Sequence, residues 1–475
     1  MNKAFIVGAG VTLAGLLIAP TFVGNSVESQ TRSAIEKIDD HPLYSASVLS
    51  YDKGWFSSTA TIELSLEIDT LLAAQQIDPE EQDTPDKPVV IAKVNAFHGP
   101  VYFGDGVGIA KVKYNASVDG NMLREYVTWQ ENQPFYYNEG KVGLFNGLSY
   151  TDTIPALKAL ENDGDIEFVF SGFNGEASDE GGATRYIGSS KSVEISGAGF
   201  SLGMLNTAVD MTYHGDFMAA ISGKLFESDA ALTAEQIEFS DSTDTNVIID
   251  TLRMITSTDI DEQANTADIY VEYAVDDIKG PAQEASDIAI GIAVNNLDID
   301  FIEAYQEFSN ASLMVPSEDL PQKLQVFIKD NLLQQLQTEP EINIKKLAMT
   351  LPEGSIKGTA NSKLTGITSL PDTMEDVAYW VSHLLMGAQI SADKAFVESM
   401  ASGYMVAELA ANPQTQGMTA DELKSAAEQQ VPMVLDSFVQ QGLLKETEQG
   451  FETSFALKDG TATINGTEVP LPFAQ

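Results

Sequence analysis

Alternation of apolar and polar side chains dominates the first two thirds of the chain. Ile62, Leu64, Leu66 and Ile68 alternate with Thr61, Glu63, Ser65 and Glu67. The same period of two returns at Ile166–Phe170, Val193–Ile195, Leu205–Tyr213, Ile269–Val275 and Ile288–Val294. That period describes strands with one buried face and one wet face. In the last run the intervening residues are Ala289, Gly291 and Ala293, small and uncharged, so both faces could be covered. Gly104-Asp105-Gly106 and Asn138-Glu139-Gly140 read as hairpin turns. Thr153-Ile154-Pro155 reads as the start of a short helix, because proline suits a first turn.

Helical spacing takes over late. Leu320, Leu324, Ile328, Leu332 and Leu336 recur at every fourth position until Pro340. "DTMEDVAYWVSHLLMG" opens on an Asp372–Glu375 capping box and ends at Gly387. "SADKAFVESMASGYMVAELAANP" follows, capped by Ser391, and a fourth helix opens on a Thr419–Glu422 box and carries Pro432 as a kink. One hairpin falls between the first two helices and another after the last, turned by Asp459-Gly460.

The pattern predicts an α+β protein. A large, curved antiparallel sheet, or more than one, carries several late helices on its apolar face. Residues 26–310 are expected to be mainly β, and 311–475 to be helices interleaved with hairpins on the same sheet. Strands spaced ~4.8 Å apart widen such a sheet beyond what helices ~10 Å across can cover. Unless the sheet curls on itself, an open or half-open apolar groove is therefore expected, with Ile290 as a candidate lining residue.

The N-terminus adds a different element. From Ala4 to Gly24 the chain carries no charge, and ~20 such residues suffice to span a bilayer core as a helix. A cleaved signal peptide is the competing reading, with Ser26 as its only fair cleavage site. Residues 1–25 are expected to be an uncleaved signal anchor, with Lys3 keeping the N-terminus inside. No other stretch is comparably long and apolar, so the remainder is expected outside the cytoplasm.

Charge then removes whole classes of function. Seventy acidic residues against 26 basic ones give a formal charge of −44, and such a chain repels nucleic acid. The same balance argues against reading anionic lipid headgroups. Cysteine is absent, which excludes disulfides, thiolate catalysis and cysteine zinc sites. The four histidines, His41, His98, His214 and His383, are not at ligand spacing, and no HExxH pair is present. The stretches 240–250 and 257–269 lack the register of a calcium loop. No cofactor or metal is implied.

Several short motifs occur in a definite order: the apolar N-terminal run, "YDKGWFSSTA", "FHGPVYFG" and the closing "LKDGTATINGTEVPL". Together they resemble the YdgA/YihF family of bacterial envelope proteins, a domain of unknown function, over essentially the whole chain. The resemblance implies a Gram-negative inner-membrane protein facing the periplasm, and it implies no activity. Its most specific pieces are Gly54, Trp55, Phe56, Ser57 and Ser58, and then His98, Gly99 and Pro100. No Gly-x-Ser-x-Gly elbow surrounds Ser57 or Ser58, so these motif residues are expected to be structural. Trp55 is expected to be a core anchor, with Trp55→Ala costing roughly 3–5 kcal/mol.

Two functions remain. One is an envelope protein, without a recognisable catalytic site, that binds an apolar ligand such as a lipid, or a partner protein, along its sheet. The other is a periplasmic hydrolase with a dispersed site, since paired carboxylates cannot be singled out among 70 acids.

Overall fold

The computed structural model describes residues 27–39, 44–66, 89–104, 106–145, 147–159, 166–197, 199–215, 225–243, 245–281, 284–312, 319–412, 415 and 417–471. The Ala4–Gly24 run, Ile68 and Asp105 lie outside these residues. Among the described residues no helix is long and apolar enough to cross a membrane. The chain folds as two compact units. One comprises Met1–Asn246, Ile255–Asn265 and Ile299–Asn331, the other Val247–Met254, Thr266–Asp298 and Leu332–Gln475.

The first unit opens with helix α1 (Val27–Asp39) and the hairpin β1 (Tyr44–Lys53) to β2 (Ser57–Leu66). The Asp39 carboxylate accepts the Ala46 N–H at 2.9 Å, and Glu28 reaches Lys53 at 3.9 Å. Helix α1 therefore runs antiparallel to β1, with its N-terminus beside the end of that strand. Ile35 and Ile38 of α1 are buried in the core.

From β2 the ladder continues through β3 (Val89–His98), β6 (Val112–Val118), β8 (Tyr136–Val142), β9 (Leu148–Ile154), β12 (Phe173–Asp179), β13 (Ala183–Gly197), β14 (Phe200–His214) and β15 (Ser228–Asp241). The pairings along it are antiparallel. A small hairpin, β4 (Val101–Gly104) with β5 (Gly106–Ile109), sits between β3 and β6. Short strands β7 (Val127–Thr128), β10 (Leu157–Ala159) and β11 (Glu167–Phe170) complete the set on β13. The alternation seen in sequence is the core pattern: Ile62, Leu64, Val90, Val94, Val112, Tyr114 and Val142 are all buried.

Two local expectations fail here. Asn138-Glu139-Gly140 is no turn; it lies inside β8, paired with Asp152, Thr151 and Tyr150. Gly140 is needed for packing, since a Cβ there would lie 2.7 Å from the Tyr114 hydroxyl. Thr153 and Ile154 end a strand and do not start a helix, because Ile154 and Leu157 both go into the sheet's core. Tertiary burial outweighs the local preference of Pro155.

Helices α2 (Ile299–Ser312) and α3 (Leu320–Gln337) follow. Their contact is aromatic: buried Phe327 stacks on Phe308 at 4.9 Å and meets Phe301 and Tyr305 at 5.6 and 5.9 Å. The leucine row of α3 is not one buried stripe, since Leu324 is exposed while Leu336 is buried. Phe327, off that row, is the anchor.

The second unit is a ladder of β17 (Thr266–Lys279), β18 (Glu284–Asp298), β19 (Glu341–Leu351), β20 (Gly354–Leu364), β21 (Leu384–Asp393), β23 (Gly450–Lys458), β24 (Thr461–Ile464) and β25 (Thr467–Val469), with β22 (Lys445–Glu446) on β23. Strand β16 (Asn246–Asp261) precedes it. Both late hairpins form where expected.

Helix α4 (Val377–His383) is shorter than expected: its N-cap is Asp376, which accepts the Tyr379 N–H, and Leu384 to Gly387 belong to β21. Helix α5 (Lys394–Ala411) starts after Asp393, with Ser391 still in strand. Asp393 instead accepts the Ser355 N–H and hydroxyl at 2.8 and 3.0 Å, which ties the end of β21 to the start of β20. Helix α6 (Ala420–Gln440) has its Thr419–Glu422 capping box and contains Pro432. Val431 and Leu435 of α6 pack with Phe451, and Val397, Ala401 and Met405 of α5 close over them.

Candidate functional site

The second unit inverts the usual strand pattern. Along β18 the small residues are buried, Ala289 at 5% exposure and Ala293 at 5%, while Ile290 and Ile292 are each 38% exposed. Tyr270 covers the small face, since a Cβ on Gly291 would lie 2.5 Å from its hydroxyl. The large aliphatic residues are left on the other face.

That face forms an apolar groove. One transverse row runs Tyr273, Ile290, Leu347, Gly358, Ile390 and Thr453 across β17, β18, β19, β20, β21 and β23. Phe396, Val397 and Met400 of α5 form its wall. The cavity is about 620 Å³, and Glu452 and Thr453 are the polar residues at its margin. A ligand pocket is typically ~300–1,000 Å³ and mostly apolar. Gly358 lies under two lining residues: a Cβ there would touch Ile390 Cγ1 at 3.3 Å and Leu347 Cδ2 at 3.5 Å. Ile290, a candidate from the sequence, is one of the lining residues. Gly358, Phe396 and Met400 were not candidates there, because the first is legible only as a gap and the others only once α5 is placed.

The motif residues gather at one place in the first unit. Gly54 N–H donates to Ser57 O at 2.7 Å, closing the β1–β2 turn, and His98 N–H donates to Phe56 O at 2.8 Å. Ser58 is buried, and its Oγ lies 3.0 Å from His98 Nε2. Gly99 N–H donates to Lys111 O at 2.7 Å, and Gly99 precedes a cis peptide to Pro100. A Cβ on Gly99 would lie 1.7 Å from Ala110 O, so only glycine fits. Burial, with the charge of Lys53 second, holds the His98 imidazole below its ordinary pKa. Among the described residues no carboxylate hydrogen-bonds its other ring nitrogen, so no third group orients this pair as a catalytic relay would need.

Trp55 overturns its expectation. It is 95% exposed and Phe56 76% exposed, so neither is a core anchor. The turn projects both rings outward, and Ser58 alone of the five residues is buried.

A third cluster lies in the first unit's core. Asp152 is 1% exposed, sits opposite Asn138 and Gly175, and accepts the Tyr186 hydroxyl at 3.2 Å. Burial raises its carboxyl to about 6 against the pull of that hydrogen bond. A Cβ on Gly175 would lie 2.2 Å from both Asp152 Oδ1 and the Tyr186 hydroxyl, so glycine makes room for the pair. Sequence gave no signal for this contact, which joins residues 34 apart. Among the described residues no group of His, Asp and Glu is arranged to hold a metal. The stretches at 240–250 and 257–269 are strand ends joined by turns: Asp241 accepts the N–H groups of Thr243 and Thr245, and Asp261 those of Gln263 and Ala264.

The chain belongs to the family described as "Bacterial protein of unknown function (DUF945)", matched over residues 1–472. No curated protein and no solved structure matches it.

Proposed function

We propose that this is a single-pass envelope protein of the YdgA/YihF type, anchored in the inner membrane by Ala4–Gly24 with its N-terminus cytoplasmic and its bulk in the periplasm. Its role is to hold an acyl chain in the groove of the second unit. The observation that carries this is the groove itself, about 620 Å³ with aliphatic and aromatic walls. An acyl chain is the occupant chosen because the lining has almost no polar group to orient a peptide or a sugar. The span of Ala4–Gly24 supports the anchor on length and lack of charge.

Mass spectrometry of a solvent extract of the purified full chain tests it. Co-purifying acyl chains are expected, and they should be lost in Gly358→Leu, whose side chain would push Leu347 and Ile390 into the groove. An empty extract, together with no uptake of a fluorescent fatty acid by the wild type, sinks the reading. A second copy or a partner protein on this face would show as a complex that Gly358→Leu leaves intact.

The 3.0 Å contact of Ser58 with His98 favours one alternative, a hydrolase using that pair. Turnover in an ester panel that Ser58→Ala abolishes at unchanged protein level would establish it.

A further inference from the structure

Three turns of the first unit end at one edge of its sheet. The register runs Lys53 to Ser58, Ser57 to Phe97, His98 to Val112, Val112 to Val142 and Val142 to Leu148. The β1–β2 turn, the β4–β5 hairpin and the β8–β9 turn therefore lie side by side. Backbone bonds fasten them: His98 N–H to Phe56 O, Gly99 N–H to Lys111 O, and Lys111 N–H to Val142 O at 2.8 Å.

Each turn presents large apolar side chains to water. Trp55 and Phe145 are 95% and 97% exposed, and Phe56, Ile109 and Leu144 are exposed beside them. Nothing in the fold requires these residues to be apolar. The same edge is rich in lysine, which is scarce in a chain of 70 acids and 26 bases. Lys53 ends β1, Lys111 precedes β6, and Lys113 and Lys141 stand directly opposite each other on β6 and β8. Acids share this end: Glu28, engaged by Arg32 and Lys53, then Asp52 and Glu139, and Asp179, whose Oδ2 would lie 2.6 Å from a Cβ on Gly147 in the β8–β9 turn. The end is therefore mixed in charge, and its exposed apolar side chains are what set it apart.

Helix α1 begins at this same edge, since Glu28 lies 3.9 Å from Lys53. Gly24, the last residue of the apolar run, is three positions before Val27.

We propose that the row of turns carrying Trp55, Phe56, Ile109, Leu144 and Phe145 docks into the surface of a phospholipid bilayer. The aromatic rings enter the headgroup boundary, where Trp is favoured. The chemistry is that of a membrane-surface patch, independent of the acyl groove, and it rests on the anchor reading, which brings a bilayer to the end where α1 begins.

The absence of native cysteine makes the test direct. Single variants Trp55→Cys, Phe145→Cys, Leu16→Cys and Glu131→Cys of the full chain are labelled with an environment-sensitive fluorophore. They are reconstituted into vesicles of phosphatidylethanolamine and phosphatidylglycerol. Glu131, exposed near the opposite end of β6, is the control, and Leu16 reports separately whether the apolar run is inserted. The labels at 55 and 145 are expected to shift to shorter wavelength and to be quenched by brominated lipid, with no change at 131. The shift should weaken when the neighbouring Phe56 and Leu144 are replaced by Ser. Labels at 55 and 145 that stay water-exposed in these vesicles overturn the proposal, whatever Leu16 reports. Labels buried in native membranes but wet in protein-free vesicles assign the patch to a protein partner and equally overturn it.

Discussion

Ser58 Oγ and His98 Nε2 stand 3.0 Å apart, joining two motifs 40 residues apart in the chain. The contact ties the end of β3 to the turn that opens β2. Ser58→Ala is expected to cost about 0.5–1.5 kcal/mol, the net worth of one hydrogen bond. Denaturant unfolding of the two proteins measures it. A cost near zero would mean that the pair is not holding the corner.

Gly99→Ala is expected to be far worse, roughly 3 kcal/mol or more, at the upper end for single substitutions. Its Cβ has no room against Ala110 O, which is backbone and cannot swing away. Trp55→Ala, in contrast, should change stability by no more than about 0.5 kcal/mol, as exposed positions do. Thermal melts of both variants rank them, and the reverse order would refute the placement of the corner.

Asp152 should make stability depend on pH in an unusual direction. Its folded carboxyl titrates at about 6, above the ordinary 3.8, so the native state binds the extra proton between those values. The contribution is complete below about pH 4 and is lost as pH rises through about 6. At roughly 1.4 kcal/mol per pH unit the loss is on the order of 3 kcal/mol. Asp152→Asn, still able to accept from Tyr186, is expected to be more stable than wild type at pH 7.5 and equal to it near pH 4. His98 titrates oppositely, its depressed pKa costing stability on acidification, so the difference between the two proteins is the quantity to follow. Parallel stability curves for wild type and variant would show that Asp152 is not held protonated.

Adjacent residues of β18 should respond in opposite ways. Ile290→Glu places its charge on an exposed face and is expected to fold normally while losing acyl-probe uptake at least tenfold. Ala289→Glu must bury a charge and a larger side chain, and is expected to cost about 3 kcal/mol or more. Melting curves and probe titrations on both variants decide this. Equal damage to stability would mean that the two faces are not as different as their exposures.

The sequence was most informative where burial is periodic. Ile62 and Leu64, the late hairpins, and the Thr419–Glu422 cap all follow local rules that tertiary structure leaves alone. It misled where two local preferences compete. Leu384 to Gly387 suit a helix by composition but pair as strand with β20 and β23. Trp55 was misplaced because an aromatic next to a turn has the same spelling whether it points in or out. Alternation likewise identified Ile290 as a surface-forming residue without saying that its smaller neighbours would take the core. The Asp152–Tyr186 pair depends on register across β9, β12 and β13, which no window of sequence contains.

The exposed aliphatic row of the second unit also bears on how copies of the molecule behave toward each other. Ile342, Ile292 and Ile290 would make two such faces adhere if nothing held them apart. A formal charge of −44 supplies that separation over about 8–10 Å at ordinary ionic strength. At about 1 M salt the reach falls to ~3 Å. Acidity here is then a colloidal device, keeping a sticky face dispersed until something apolar fills it, and the protein should self-associate in strong salt when its groove is empty.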